Sequence, residues 1–115
     1  MNVCIDIPAP QIVAKVSLKN QTSSIPLTTI YTPASDGEFL VSVYLTDTSV
    51  TGSAGVVVQW TDEMGTWQSG PSNGGPQQRG TFMIHAIAGQ PIQYFVDYSD
   101  SHSVPYNLFI TVVQE

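Results

Sequence analysis

The stretch Phe39-Leu40-Val41-Ser42-Val43-Tyr44-Leu45 places an apolar residue at every odd position and a mixed set of residues at the even positions. Successive side chains of a β-strand point to opposite faces, so residues two apart line the same face. The stretch therefore predicts a strand whose odd-numbered residues face a core.

The same two-residue period recurs along most of the chain. Clusters of Gly, Pro, Asn, Asp and Ser separate the alternating segments, and no segment carries the spacing of an amphipathic helix. Short strands with turn residues between them are typical of a sandwich or barrel. Six apolar sets are predicted to line core faces: Ile12, Ala14, Val16 and Leu18; Phe39, Val41, Val43 and Leu45; Val56, Val58 and Trp60; Phe82, Ile84 and Ala86; Ile92, Tyr94 and Val96; Leu108, Ile110 and Val112.

Two weaker strands are predicted around residues 25–31 and 66–69, which brings the total to about eight. We therefore expect an all-β fold, an antiparallel β-sandwich that is jelly-roll-like and has essentially no helix, over residues 12–115. Residues 1–11 are predicted to be an N-terminal arm or edge strand, because prolines cannot donate to a β-ladder and Pro8 and Pro10 end this segment. Polar loops are predicted at residues 69–76 and 98–105.

The charge of the chain is low and negative. Three Lys and Arg residues stand against nine Asp and Glu residues, and only 10% of the chain is charged, where about 25% is typical. Without clustered basic residues, nucleic acid and anionic membranes are poor partners. Charge depletion is a property of interface cores and favours a homo-oligomer or a particle-bound protein. A Ser- and Thr-rich surface on an ordinary β-domain is the alternative.

A single cysteine, Cys4, rules out an intramolecular disulfide. We see no signal peptide and no transmembrane span, so membrane insertion is not expected. The composition favours a virion or an extracellular surface but does not define a location.

Three segments resemble one known family. Residues 30–45, IYTPASDGEFLVSVYL, resemble the aromatic-x-Pro-x-x-x-Gly-x-aromatic segment of C1q/TNF-like jelly rolls. Residues 88–92, AGQPI, are similar to that family's Gly-Asp turn, with Gln90 in place of the acidic residue, and residues 106–110, YNLFI, are similar to its final aromatic strand. The resemblance implies a jelly roll that forms a trimer and binds through loops without catalysis. Domains of this kind also occur in phage tail, fibre and head-decoration proteins.

Catalytic arrangements are missing from the sequence. Asp62 and Glu63 are adjacent, whereas glycosidase chemistry needs two carboxylates that face each other across a sugar. No serine lies in a Gly-x-Ser-x-Gly elbow, and no histidine near Cys4 in the sequence would activate its thiol. We therefore predict that the protein is not an enzyme and uses no cofactor.

A cation site is considered for one polar loop. Asp97, Asp100 and His102 are close in sequence, but their spacing does not match the Ca²⁺-loop pattern. A turn in which Asp and Ser side chains bond the backbone explains the same residues. We predict no metal site.

Aromatic and apolar residues outside the predicted core are the candidates for binding. Trp67 precedes the glycine-rich loop, where an exposed ring would stack on a sugar or anchor a protein partner; a structural role is the alternative. We expect a non-enzymatic structural or assembly protein, a decoration, fibre or tail component of a viral or phage particle that forms a homotrimer. The alternative function is a carbohydrate- or ligand-binding β-sandwich module. The candidate binding and interface residues are Trp67, Tyr98, Tyr106, Tyr44, Phe95 and Phe109, with Val3, Ile5 and Ile7 of the arm.

Overall fold

Eight β-strands make up the domain. The computed structural model describes residues 10–70 and 77–115, and these ranges contain no helix. It follows that no helix in the described part of the chain is long and apolar enough to cross a membrane. The strands are β1 (Gln11–Gln21), β2 (Ile25–Tyr31), β3 (Gly37–Asp47), β4 (Gly52–Asp62), β5 (Gly65–Ser69), β6 (Gln77–Ala86), β7 (Ile92–Asp100) and β8 (Tyr106–Gln114).

The strands form two antiparallel sheets of four strands each. The first sheet has the order β1-β8-β3-β6 and the second has the order β2-β7-β4-β5. The chain alternates between the sheets at nearly every connection; the β4–β5 hairpin alone, among the described strands, joins neighbours in one sheet. Two four-stranded sheets interleaved in this way are the arrangement of a jelly roll. The predicted all-β, jelly-roll-like sandwich is confirmed.

The core lies between the two sheets and follows the predicted alternation. Inward residues of β3, β4, β7 and β8 are buried, while their neighbours in sequence are partly buried or exposed. Trp60 and Phe82, at the β4 and β6 edge of the core, are only partly buried against it. The buried apolar residues are Phe39, Val41, Val43, Leu45, Ala54, Val56, Val58, Ile84, Ala86, Ile92, Tyr94, Val96, Tyr106, Leu108, Ile110 and Val112.

Strand β1 departs from its predicted register at one residue. Ile12 pairs with Val113 and Ala14 pairs with Val112, so Val13 is an extra residue in the ladder. A bulge of this kind reverses the face of the residues on one side of it. Ile12 therefore points outward and is 56% exposed, and its predicted place on the core face is wrong.

The second polar loop is shorter than predicted. Strand β7 continues to Asp100, which pairs with Gly52 of β4, so the connection spans residues 101–105 instead of 98–105. Most of the other predicted loop, residues 71–76, and the arm residues Val3, Ile5 and Ile7 lie outside the described residues.

Candidate interaction surfaces

The outer face of the first sheet carries an apolar row that crosses all four strands. Val113 of β8 pairs with Ile12 of β1 and with Leu40 of β3, and Leu40 in turn pairs with Met83 of β6. We call these four residues the apolar band. Ile12 is 56% and Met83 50% exposed, while Leu40 and Val113 are partly buried. Contiguous apolar surface of this kind marks a site of interaction more often than scattered apolar residues do.

An aromatic pair lies on the same face, two rows from the apolar band. Tyr44 of β3 and Phe109 of β8 are paired, and their ring centroids are 6.3 Å apart. The guanidinium of Arg79 lies 5.3 Å from the centre of the Tyr44 ring, within cation–π distance. Both rings are partly buried, so the structure places Tyr44 and Phe109 on the predicted outer face but covers part of each.

All three basic residues of the chain belong to the outer face of the first sheet. Lys15 pairs with Thr111 and Arg79 with Tyr44, and Lys19 follows the inward-facing Leu18. Among the described residues of this face, acidic groups are confined to the end next to the apolar band, at Glu38 and Glu115. The basic residues are thus concentrated on one surface of a chain whose net charge is −6.

The outer face of the second sheet has a smaller apolar row. Phe95 of β7 pairs with Val57 of β4, and both are partly buried. On the other side of Phe95, Pro26 and Leu27 of β2 form a bulge between the Ile25 and Thr28 pairings. Phe95 is therefore on an outer face, as predicted, but its ring is one of a short row and is not widely exposed.

The β4–β5 hairpin holds the exposed tryptophan. Trp67 is 49% exposed, and its indole N–H donates to Oδ1 of Asp62 at 2.9 Å. That donor, with the backbone N–H groups of Met64 and Gly65, lowers the pKa of Asp62 from its ordinary value. The Trp67 side chain is thus about half exposed while its indole N–H is held by Asp62.

The tip of the hairpin reaches the end of β6. Oε1 of Glu63 lies 2.7 Å from Nε2 of His85, and Nδ1 of His85 lies 3.9 Å from Oε1 of Glu38. All three side chains are partly exposed. We call Asp62, Glu63, Met64, Trp67 and His85 together the hairpin corner. The outward position of His85 follows from its alternation with Ile84 and Ala86, whereas its contact with Glu63 depends on how the hairpin and β6 are placed in the fold.

The tyrosines near the last loop serve the core. Tyr106 is 0% exposed and donates its hydroxyl to the carbonyl of Ser23 at 2.7 Å. The Tyr98 ring packs 5.2 Å from it, and the Tyr98 hydroxyl donates to the carbonyl of Val104. Tyr106 is therefore not available as a binding residue. The Tyr98 hydroxyl is used in a hydrogen bond to the loop before β8. Tyr98 pairs with Ala54, six residues along β4 from the partner of Trp67, which separates the two rings by roughly 20 Å.

The acidic residues near this loop do not converge. Asp97 points to the outer face and Asp100 to the opposite side of β7, by the alternation of the strand. Oδ1 of Asp100 accepts hydrogen bonds from the hydroxyl of Thr51 at 2.6 Å and from the backbone N–H of His102 at 2.9 Å. In the described ranges no three His, Cys, Asp or Glu side chains are grouped to hold a metal ion.

Comparison with known proteins adds one structural likeness. No protein-family model matches the chain, and no curated protein matches it. The chain is similar to the crystal structure of the infectious bursal disease virus VP2 subviral particle, with 14% identity and a TM-score of 0.47. The match covers 94% of this chain and 33% of the viral chain. A structural likeness with this identity and this TM-score does not indicate a function.

Proposed function

We propose that this chain is a non-enzymatic structural subunit that assembles as a homotrimer and forms part of a viral or phage particle. The observation that carries the proposal is the apolar band, Ile12, Val113, Leu40 and Met83, a single row that crosses all four strands on the outer face of the first sheet. The trimeric stoichiometry and the particle setting are what the resemblance to C1q/TNF-like and phage domains implies.

The apolar band supports assembly because it is a surface that water solvates poorly. Its two end residues are about half exposed, and removal of apolar surface from water is the main favourable contribution to most protein–protein association. The four residues of the band lie on paired strands of one sheet, so the surface is already formed in the isolated chain. A partner would cover it without a rearrangement of the backbone.

Charge supports a second copy of the chain as the partner. Each copy carries nine acidic residues, most of them away from the outer face of the first sheet, and that face carries all three basic residues. An acidic surface of a neighbouring copy is therefore attracted to it, which steers association. In a closed trimer, each contact joins two different surfaces of adjacent copies. The basic outer face of one copy can therefore lie against an acidic surface of the next.

The proposal is tested by sedimentation of the wild type and of surface variants. We expect a trimer for the wild type at micromolar concentration and a monomer for Ile12→Lys and Met83→Lys, because each places a charge on the apolar band. Both side chains are about half exposed, so their replacement should not disturb the core. The urea midpoint for unfolding of each monomeric variant should therefore be close to that of the wild-type monomer. Val50→Lys is the matched control, since Val50 is 98% exposed in the β3–β4 loop, and it should stay trimeric. A monomeric wild type, or a trimeric Met83→Lys, would overturn the proposal.

A further inference from the structure

We propose that the hairpin corner is a binding site for neutral glycans, with the Trp67 ring as the stacking platform and the Asp62 and Glu63 carboxylates as acceptors for sugar hydroxyls. This activity goes beyond assembly and would let the domain attach to a glycan-bearing surface.

Trp67 is the first part of the argument. The chain has two tryptophans, and they lie opposite each other at the Trp60–Trp67 pairing of β4 with β5. Trp60 packs toward the core, with its ring 5.9 Å from that of Phe82. Trp67 packs less completely and leaves half of its surface in water. The half-exposed indole offers a large apolar ring face with a polar edge on which a ligand can stack.

The ring is also held in one orientation. The bond from its indole N–H to Asp62 fixes the edge that carries the nitrogen and restricts both side-chain torsions. Asp62 is itself held by the backbone N–H of Met64 at 2.8 Å. A ring that is ordered before binding loses little entropy when a ligand stacks on it, and this preorganisation increases affinity.

Polar groups next to the ring match the chemistry of a sugar. An ionised carboxylate has two oxygens and about four acceptor sites. Asp62 and Glu63 therefore retain acceptor capacity beyond their bonds to Trp67 and His85. The imidazole of His85 adds a donor or an acceptor at the same corner. A pyranose offers an apolar C–H face to a ring and hydroxyls around its rim, which is the combination that this corner complements.

Charge and surroundings decide the class of ligand. Asp62, Glu63 and nearby Glu38 would repel sialylated, sulfated or uronic-acid sugars, which leaves neutral glycans. A protein partner is less favoured, because binding hot spots lie in the centre of well-packed, desolvated patches. Trp67 instead lies on an edge strand between exposed Thr66 and Gln68.

The test uses an array of neutral, sialylated and sulfated oligosaccharides probed with the full chain, followed by calorimetric titration of the neutral oligosaccharide with the strongest signal. We expect neutral glycans to bind, Trp67→Ala to weaken binding by about tenfold or more, and Trp67→Phe to retain part of the affinity. Val50→Ala, which truncates a 98% exposed apolar side chain in the β3–β4 loop, at the end of β4 away from the hairpin, is the control and should bind as the wild type does. Circular dichroism verifies that each variant is folded.

Three results would overturn the proposal. These are the absence of neutral-glycan binding by the wild type, unchanged binding by Trp67→Ala, and a change of oligomeric state in Trp67→Ala, which would make the ring a subunit contact. Sedimentation of the same samples separates this outcome from the assembly proposal, since glycan binding by a monomeric wild type would leave the hairpin corner supported and the trimer refuted.

Discussion

Tyr106 is a polar aromatic residue that is fully buried at one end of the core, at the first position of β8. Its hydroxyl donates to the carbonyl of Ser23, which lies in the connection before β2, and its ring packs on Tyr98. Burial raises the pKa of Tyr106 to about 12, because removal from water disfavours the phenolate. The side chain therefore remains neutral and a hydrogen-bond donor at pH values well below 12. Its place between a loop and a strand made it a candidate for binding, but its role is to join the β1–β2 connection to the core.

Two substitutions separate the hydroxyl of Tyr106 from its ring. Tyr106→Phe should lower the free energy of unfolding by about 1 kcal/mol, the usual loss for one hydrogen bond. Tyr106→Ala should lower it by about 3–5 kcal/mol, because it also leaves a cavity. Urea unfolding measures both, with Tyr44→Phe on the outer face as a control expected near wild type. Equal losses for the two Tyr106 variants would contradict the assigned hydrogen bond.

Asp100 ties the end of β7 to the β3–β4 loop. The hydroxyls of Ser49 and Thr51, with the backbone N–H groups of His102 and Val104, lower the pKa of Asp100 from 3.8 to about 2. Hydrogen bonds to the charged form of a carboxyl group favour that form. The bonds therefore stabilise the folded protein only while Asp100 is ionised.

The stability of the protein should consequently fall in acid. The pKa of Asp100 in the folded state lies below its ordinary value, so its contribution is present above about pH 4 and is lost as the pH falls through about 2. Asp100→Asn should be less stable than the wild type at pH 6, and the difference should shrink toward pH 2. Asp97→Asn, on the exposed side of the same strand, is the control. If the stability difference between Asp100→Asn and the wild type is the same at pH 6 and at pH 2, the ionised Asp100 does not stabilise the fold as described.

Strand β4 contains two glycines with different surroundings. Gly52 begins the strand opposite Asp100, and a Cβ atom there would overlap the carbonyl oxygen of Ser99 and the backbone of Asp100. Gly55, three residues later, has no atom within 4 Å of the same position. The close approach of β4 and β7 therefore requires a glycine at the first position and not at the second.

This contrast gives a matched pair of variants within one element. Gly52→Ala should destabilise the protein by about 1–3 kcal/mol, because the backbones of β4 and β7 would have to separate. Gly55→Ala should be neutral or stabilising by about 0.5–1 kcal/mol, because alanine loses less conformational entropy in a strand. Thermal and urea unfolding give both values. Similar losses of unfolding free energy in the two variants would show that the close contact of Gly52 with β7 does not require a glycine.

The first sheet brings distant parts of the described chain together. Strand β1 pairs with β8, so the first described strand lies beside the last. The arm was predicted to span residues 1–11, but Gln11 is the first residue of β1. Within residues 1–10 the sequence places Val3, Ile5 and Ile7 in the alternation of a strand. We propose that this arm adds to a sheet edge of a neighbouring copy or of a particle partner, where backbone hydrogen bonds would supply affinity.

Deletion of residues 1–10 tests the arm at the scale of the molecule. Strand β1 begins at Gln11, so the deletion leaves every described strand intact and unfolding should stay cooperative. Assembly should weaken, with a lower fraction of trimer by sedimentation at the same concentration. Substitution of Val3, Ile5 and Ile7 by Ser in the full-length chain is the control that keeps the length and should have the same effect. If the deletion unfolds the domain, the arm is part of the core and the hypothesis fails.

The sequence by itself determined which segments are strands and which residues of β3, β4, β6, β7 and β8 face the core. Alternation is a local property, because the pleat turns each successive side chain to the opposite face, and a buried face must be apolar. Trp67 was also predicted to be a binding candidate from its place before a glycine-rich loop; the structure shows that its side chain is about half exposed.

Only the tertiary structure decided which residues meet. Val13 bulges out of the β1 ladder and reverses Ile12, and no local pattern marks that insertion. The apolar band then joins residues 12, 113, 40 and 83, and the hairpin corner joins Glu63 to His85. These groupings depend on strand order and register between distant parts of the chain. Register is set by the pairing of whole strands and not by the residues of any one of them, so both candidate surfaces became visible only in the folded molecule.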